Sequence, residues 1–388
     1  MAWVRPADWP AMPATAAEQI DILAAVTDDG SNYVAVRATV STGTYDVAWG
    51  DGTVSTGVTS GTDAEHLYDY ADVDLGAVTT RGYKTAMIKM TPNTGGATIT
   101  AFDIGRKHSR ASLNAYTNPW LDVQVNCPSC TSMAYRGGVE ARWLERITVV
   151  AIGAITTLAS AFQNCSSLQS ITFPSGSLAS VTTLASAFNN AFSLQSIAFP
   201  SGSLASVTTL SSTFSGCSSL KSIAFPSGSL ASVTTLALAF GACSSLQSIT
   251  FPSGSLAGVT TLASTFISCS TLQSITFPSG SLASVTTLAS AFSGCPSLQS
   301  IAFPSGSLAS VTDTTTAFSG CTNLARIQNC AIPITFSVAS AKLAGAQLDE
   351  IYTALPSVTA TITVSTNHGT PDDTPAIATG KGWTVTGS

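Results

Sequence analysis

From Phe162 to Phe318 the apolar positions recur with a fixed period. Phe162, Phe188, Phe214, Phe240, Phe266, Phe292 and Phe318 are spaced 26 residues apart, and a fixed period of this size marks a solenoid of stacked coils. Within one unit the apolar residues are Leu272, Ile275, Phe277, Leu282, Val285, Leu288 and Phe292. Ile275 and Phe277 alternate with Ser274 and Thr276, and Pro278 ends the run, so the pattern predicts short strands at Leu168–Phe173, Leu194–Phe199 and each equivalent. The following PSGS is turn chemistry, with Gly280 free to take a positive φ. Val285, Leu288 and Phe292 lie three and four apart, which predicts a helical turn or two. A single coil leaves its apolar edges bare, so stability has to come from stacking, with a cap at each end.

The flanking patterns differ. Residues 1–17 (RPADWPAMP at their centre) form an extended arm, which either docks along the first domain or tethers a partner. Alternating runs such as YVAVRATV, TYDVAWG, KTAMIKMT and ATITAFDIG, separated by turn residues, predict an antiparallel β-sandwich over 18–125. The solenoid with an N-terminal capping coil is expected over 126–335 and a small α+β cap over 336–388, in a chain that is mainly β. Arg142 and Glu145 are expected to cover the outer end of the array with charge. In the last segment Leu343, Leu348, Ile351 and Leu355 can form one face of a helix.

The recurring AFxxCxSLxSIxFP and LxxVTTLxxAF columns resemble the BspA-type leucine-rich repeats of bacterial and protozoan surface proteins. That resemblance implies a curved right-handed solenoid with a parallel sheet on its concave face, binding or adhesion as its work, and no catalytic residues. Val47-Ala48-Trp49-Gly50-Asp51-Gly52-Thr53, followed by His66, Tyr68 and Tyr70, resembles the PKD (polycystic kidney disease) domain. The TTRGYKTA insertion departs from that family. Taken together, the RPxDW arm, the WGDG sandwich with RGYK, the PWLD segment, the repeats and the GWTV ending resemble virion structural proteins of marine tailed phages. This implies a fibre or other virion-surface protein, with the arm and sandwich contacting other virion proteins and the solenoid facing a host-surface polysaccharide or protein receptor. A bacterial BspA-type adhesin and a purely structural decoration protein are the alternatives, and homo-oligomerisation is open.

Composition narrows the chemistry. Charged residues are 9% of the chain and the formal net charge is −6, which gives no reason to expect nucleic acid or an anionic membrane as partner. No apolar run reaches the length of a membrane span, and the Pro-interrupted N-terminus does not read as a signal peptide. Between Ala159 and Gly320 the formal charges are Lys221 and Asp313, and the three histidines, His66, His108 and His368, lie in separate segments. Without a nucleophile elbow, phosphate loop or HExxH, the expectation is no enzyme, no cofactor and no metal.

Several smaller features are weighed in that light. Cys127 and Cys130 form a lone CxxC, short of a zinc set, where a local bridge is open. Asp372 and Asp373 near His368 read as an exposed acidic turn, and Asn164-Cys165-Ser166 is a sequon in the repeat frame. His66 reads as a packed strand residue. Cys165, Cys217, Cys243, Cys269, Cys295 and Cys321 share one column, with Ala191 in the second unit; stacked side chains point in parallel, so free buried thiols are expected.

The outward strand positions supply the candidate site. Gln169, Ser170 and Thr172, Gln195 and Ser196, Lys221 and Ser222, Gln247, Ser248 and Thr250, Gln273, Ser274 and Thr276, and Gln299 and Ser300 form stripes of amide and hydroxyl. Such a surface suits polysaccharide better than nucleic acid.

Overall fold

A computed structural model describes residues 4–14, 16–28, 32–72, 74–106, 108–109, 119–135 and 143–387. Arg142, expected to charge the end of the array, lies outside them. The chain divides into two compact units, Met1–Val181 with Asn190–Ser203 and Thr182–Asn189 with Leu204–Ser388.

The first unit is built on two sheets that fit a β-sandwich. Its strands are β1 (Gln19–Val26), β2 (Tyr33–Val40), β3 (Thr44–Ala48), β4 (Val54–Thr59), β5 (Asp63–Leu67), β6 (Lys84–Pro92), β7 (Ile99–Asp103), β8 (Trp120–Cys127), β9 (Ser132–Ala134), β10 (Arg146–Ile152) and β11 (Ser170–Thr172). One sheet runs β11-β10-β8-β1-β6-β3-β4 and the other β5-β2-β7-β9. Strand β1 is buried at every position because it lies between β6 and β8, while β3 alternates buried with half-buried residues.

The change of architecture happens at β8. On one side it pairs antiparallel with β1 (Ile20↔Val125) and on the other parallel with β10 (Val123↔Ile147). Strand β10 then pairs parallel with β11 (Ile147↔Ile171). Parallel neighbours need a long connection between them, which each solenoid coil provides. The Cys127–Cys130 turn joins β8 to β9, which pairs parallel with β7 in the second sheet.

The arm docks onto the first unit. Trp9 is buried against Leu23, Ala25, Tyr83 and Leu121. Its indole N–H donates to the Tyr83 hydroxyl at 3.0 Å, and the guanidinium groups of Arg5 and Arg81 each lie 5.5 Å from its ring. Asp8 accepts from the Thr80 amide and hydroxyl, both at 2.6 Å. Arg5 also pairs with the fully buried Asp122, which Arg146 approaches at 3.1 Å from β10.

In the second unit the coils carry strands β12 (Ser222–Ala224), β13 (Ser248–Thr250), β14 (Ser274–Thr276), β15 (Ser300–Ala302) and β16 (Arg326–Gln328). They form parallel sheets β12-β13 and β14-β15-β16. A second line of parallel bridges links Thr183, Thr209, Thr235, Thr261, Thr287 and Asp313. Inside, Phe214, Phe240, Phe266, Phe292 and Phe318 stack nearly parallel at 5.5–5.9 Å between centroids. This is the solenoid of 26-residue coils.

Two local expectations need correction. The strands span three residues rather than six, and Leu194–Phe199 holds an isolated bridge residue, Ala198, without a strand. The SVTTLASAF stretch makes turns, not a helix. Ser290 (φ +53°) and Gly294 (φ +72°) are left-handed, as are their counterparts in the other coils, and a helix cannot run through such residues. The three-and-four spacing of Val285, Leu288 and Phe292 therefore comes from corners of the coil. Leu282 is also left-handed (φ +63°) and fully buried, so packing holds a conformation that costs about 1–2 kcal/mol.

The C-terminal segment supplies β17 (Phe336–Ser337), α1 (Gly345–Ala354), β18 (Ala360–Thr363), α2 (Ala376–Thr379) and β19 (Trp383–Thr386). Leu348 and Ile351 form the buried face of α1, whereas Leu343 and Leu355, also buried, flank the helix instead of lying on its face. Lys381 Nζ donates to the carbonyls of Tyr352, Thr353 and Leu355 at 2.6–3.2 Å, satisfying the open end of α1. At Gly369 an added Cβ would stand 1.9 Å from the Gly345 nitrogen, so the two backbones meet where only glycine fits.

Candidate functional site

The short Ser-Ile-Thr strands turn isoleucine inward and the flanking hydroxyls outward, because successive side chains of a strand alternate in direction. In the second unit Lys221, Ser222, Gln247, Ser248, Thr250, Gln273, Ser274, Thr276 and Gln299 are exposed, and Ser300 is half-buried. Register aligns them: Ser222 pairs with Ser248 and Ser274 with Ser300. The Gln247 N–H donates to the Lys221 carbonyl at 2.9 Å, and that of Gln299 to Gln273 at 2.8 Å. Between β13 and β14, which belong to different sheets, lies a depression of about 340 Å³ lined by Ser248, Thr250, Ser274 and Thr276.

In the first unit Thr172 and Ser196 are exposed, whereas Gln169, Ser170 and Gln195 are half-buried. The Gln169 amide donates to Glu145 at 3.2 Å, and Glu145 also pairs with Arg81. Glu145 thus meets both the first strand of the array and the sandwich.

Other residues singled out by sequence are engaged in packing. His66 Nε2 lies 2.5 Å from Asp51, its ring stacks on Trp49 at 5.0 Å, and it meets Tyr68 edge-on at 4.6 Å. Burial works against ionisation of Asp51, but the Thr53 amide and hydroxyl and His66 outweigh it and hold the carboxyl below its ordinary range. Asp373 accepts from the Tyr352 hydroxyl at 2.6 Å. Among the described residues no cluster of three or more His, Cys, Asp or Glu is arranged to hold a metal.

All nine cysteines are free and buried. In the column, Cys243 Sγ donates to the Phe214 carbonyl at 3.1 Å and Cys269 to Phe240 at 3.0 Å. Burial pushes the thiols up, to about 12 for Cys295 and Cys321, which removes the thiolate needed for reaction.

A family model described as BspA type leucine rich repeat region matches residues 149–263 and 239–337, with six copies. The array is made of BspA-type leucine-rich repeats. Two solved structures also match the chain. One is a leucine rich cell surface protein from Faecalibacterium prausnitzii, at 20% identity and TM-score 0.26, covering 70% of this chain and 91% of that one. The other is a leucine-rich repeat protein from Bacteroides ovatus, at 17% identity and TM-score 0.24, covering 76% and 96%. No curated protein matches. No helix among the described residues is long and apolar enough to cross a membrane.

Sequence reasoning passed over two places in these repeats. Phe192 is 47% exposed where its sister coils carry Ser, Thr or Pro. Thr314 replaces the leucine that Leu184 through Leu288 place in the same column. In both cases the signal was a departure from an otherwise uniform column.

Proposed function

We propose that this is a non-catalytic surface protein whose BspA-type repeats attach to a polysaccharide through the strand face. The observation that carries the reading is the row of amides and hydroxyls, uncharged apart from Lys221, with its depression at Ser248, Thr250, Ser274 and Thr276. Hydroxyl and amide groups exchange hydrogen bonds with sugars at about 0.5–1.5 kcal/mol net apiece. Affinity then depends on several coils acting together and on many copies per carrier.

The finer reading is a phage virion-surface or fibre protein, held to the particle by its arm and sandwich. It rests on the combination of the RPxDW arm, the WGDG hairpin and the GWTV ending with these repeats. The second reading, a bacterial cell-surface adhesin, is favoured by the repeat family itself. Mass spectrometry of purified particles and of cell envelopes separates the two.

Attachment is tested by replacing Gln195, Gln247 and Gln273 with glutamate. Folding is expected to persist, and binding to an acidic surface polymer to weaken by repulsion. Unchanged attachment would exclude the strand face as the receptor surface.

A further inference from the structure

In the second unit each coil is tied to the next by the same three backbone rungs. Leu288, Ser290 and Phe292 donate to the carbonyls of Asp313, Thr315 and Ala317 at 2.8, 2.8 and 2.9 Å, and these rungs recur in every coil back to Leu184. Thr314, Thr316 and Phe318 come next in the series and break it. Among the described residues their N–H groups have no acceptor. Facing them across a cleft of about 630 Å³ runs the segment 334–340. There Val338 and Ser340 donate to Thr363 and Ser365, both at 2.9 Å, on the far side. Alternation therefore turns the carbonyls of Ser337 and Ala339 toward the cleft, while the Ala339 amide is taken by the Ser337 hydroxyl at 3.2 Å. The Thr314 hydroxyl pins the two walls together by donating to the Thr335 carbonyl at 2.8 Å.

The sequence departs from the repeat at this same place. Thr314 stands where Leu288 would continue the buried leucine column, and Asp313 stands where the bridging column has threonine. Asp313 accepts from the Thr315 amide at 3.0 Å, the Thr315 hydroxyl at 2.8 Å and the Thr287 hydroxyl at 3.2 Å. It is the one carboxylate between Ala159 and Gly320.

We propose that the cleft accepts an extended peptide segment of a partner protein, with a basic side chain over Asp313. One wall offers the amides of Thr316 and Phe318 and the other the carbonyls of Ser337 and Ala339, so donors and acceptors face each other across the cleft. An inserted backbone can pair with both, as in strand addition at an open edge. The bound segment follows the path of a coil, so its residue opposite Thr316 takes the left-handed conformation that this column keeps in successive coils (Ser290 φ +53°, Thr316 φ +51°). Asp313 favours a basic residue at the start of that segment.

The test is amide hydrogen exchange on the full chain, with the blocked peptide Lys-Ala-Ser-Ala-Phe as probe. In the free protein Thr316 and Phe318 are expected to exchange faster than Ser290 and Phe292. Added peptide should slow them about tenfold or more, as one added hydrogen bond near 1.4 kcal/mol does. Asp313→Asn should weaken this peptide roughly two- to fivefold and leave a Thr-Ala-Ser-Ala-Phe peptide unchanged. Ala339→Trp should block both. The proposal falls if Thr316 and Phe318 are already as protected as Ser290 and Phe292 without peptide. It also falls if saturating peptide leaves their exchange unchanged, or if a neutral oligosaccharide protects them and the peptide does not.

Discussion

In the sandwich Asp122 is fully buried between Arg5 and Arg146, and Asp63 takes both Arg37 and Arg106. In coils 204–320 of the second unit the formal charges are Lys221 and Asp313, both on the outside. There, the contacts that hold a coil are copies of one another: a leucine, a phenylalanine, a thiol on a carbonyl. The first region depends on pairs that occur once, and the second on a pattern in which any single member has neighbours that repeat it. Sensitivity to substitution should therefore differ between them.

The largest effect is expected at Asp122→Ala. It leaves Arg5 and Arg146 without their shared partner, and breaking a buried ion pair costs about 3–5 kcal/mol. Guanidinium unfolding of the first unit should show it. A loss under about 1 kcal/mol would mean that the arm and β10 are held by packing alone.

Next in size is Cys243→Ala in the array. Ala191 already occupies the same column, fully buried, so the loss should be about 1–2 kcal/mol, from one sulfur and its weak hydrogen bond to Phe214. A loss equal to that of Asp122→Ala would abolish the contrast. The same thiols should be silent to a thiol reagent in the native protein and react after denaturation.

Smaller still is Ser264→Gly, at a corner where φ is +52°. Relief of the left-handed strain and the added freedom of the unfolded chain nearly cancel, leaving a change within about 1 kcal/mol.

Acid sharpens the comparison from another side. Burial opposes ionisation of Asp63, but Arg106 and Arg37 outweigh it and hold the carboxyl below its usual range, as Thr53 and His66 do for Asp51. A carboxyl lowered in the fold lends stability above its unfolded value near 4, and that stability is lost as pH falls through the folded value. Asp122 works in the opposite sense, because burial raises it despite Arg146 and Arg5. The sandwich should therefore weaken below about pH 4, and Asp51→Asn with Asp63→Asn should flatten that dependence. The coils, nearly free of carboxylates, should hold.

The columns of Phe, Leu and Cys were legible because repetition separates signal from accident. The sandwich was legible in its alternating runs, which became β2, β3, β6 and β7. The missing helix was not, since spacing alone cannot distinguish a helix face from the corners of a coil; only the left-handed Ser290 and Gly294 decide it. The double role of β8 was hidden as well. WLDVQV fell within the expected sandwich, but which partner lies on each side depends on residues far away in the sequence. The outward amides and hydroxyls were readable from alternation. The break between β13 and β14 was not, because the two coils are nearly identical in sequence.

Strand β8 also orders events in time. A chain made from its amino end completes β1 and β6, the antiparallel partners, before the first repeat exists. Once β8 adds to β1, its other edge is the only template that β10 requires, and β10 is in turn the template for β11. Each later coil closes contacts about 26 residues back, as Thr208 does with Thr182, so the search stays local however many copies follow. Duplicating a coil lengthens such a protein without setting its folding a new problem.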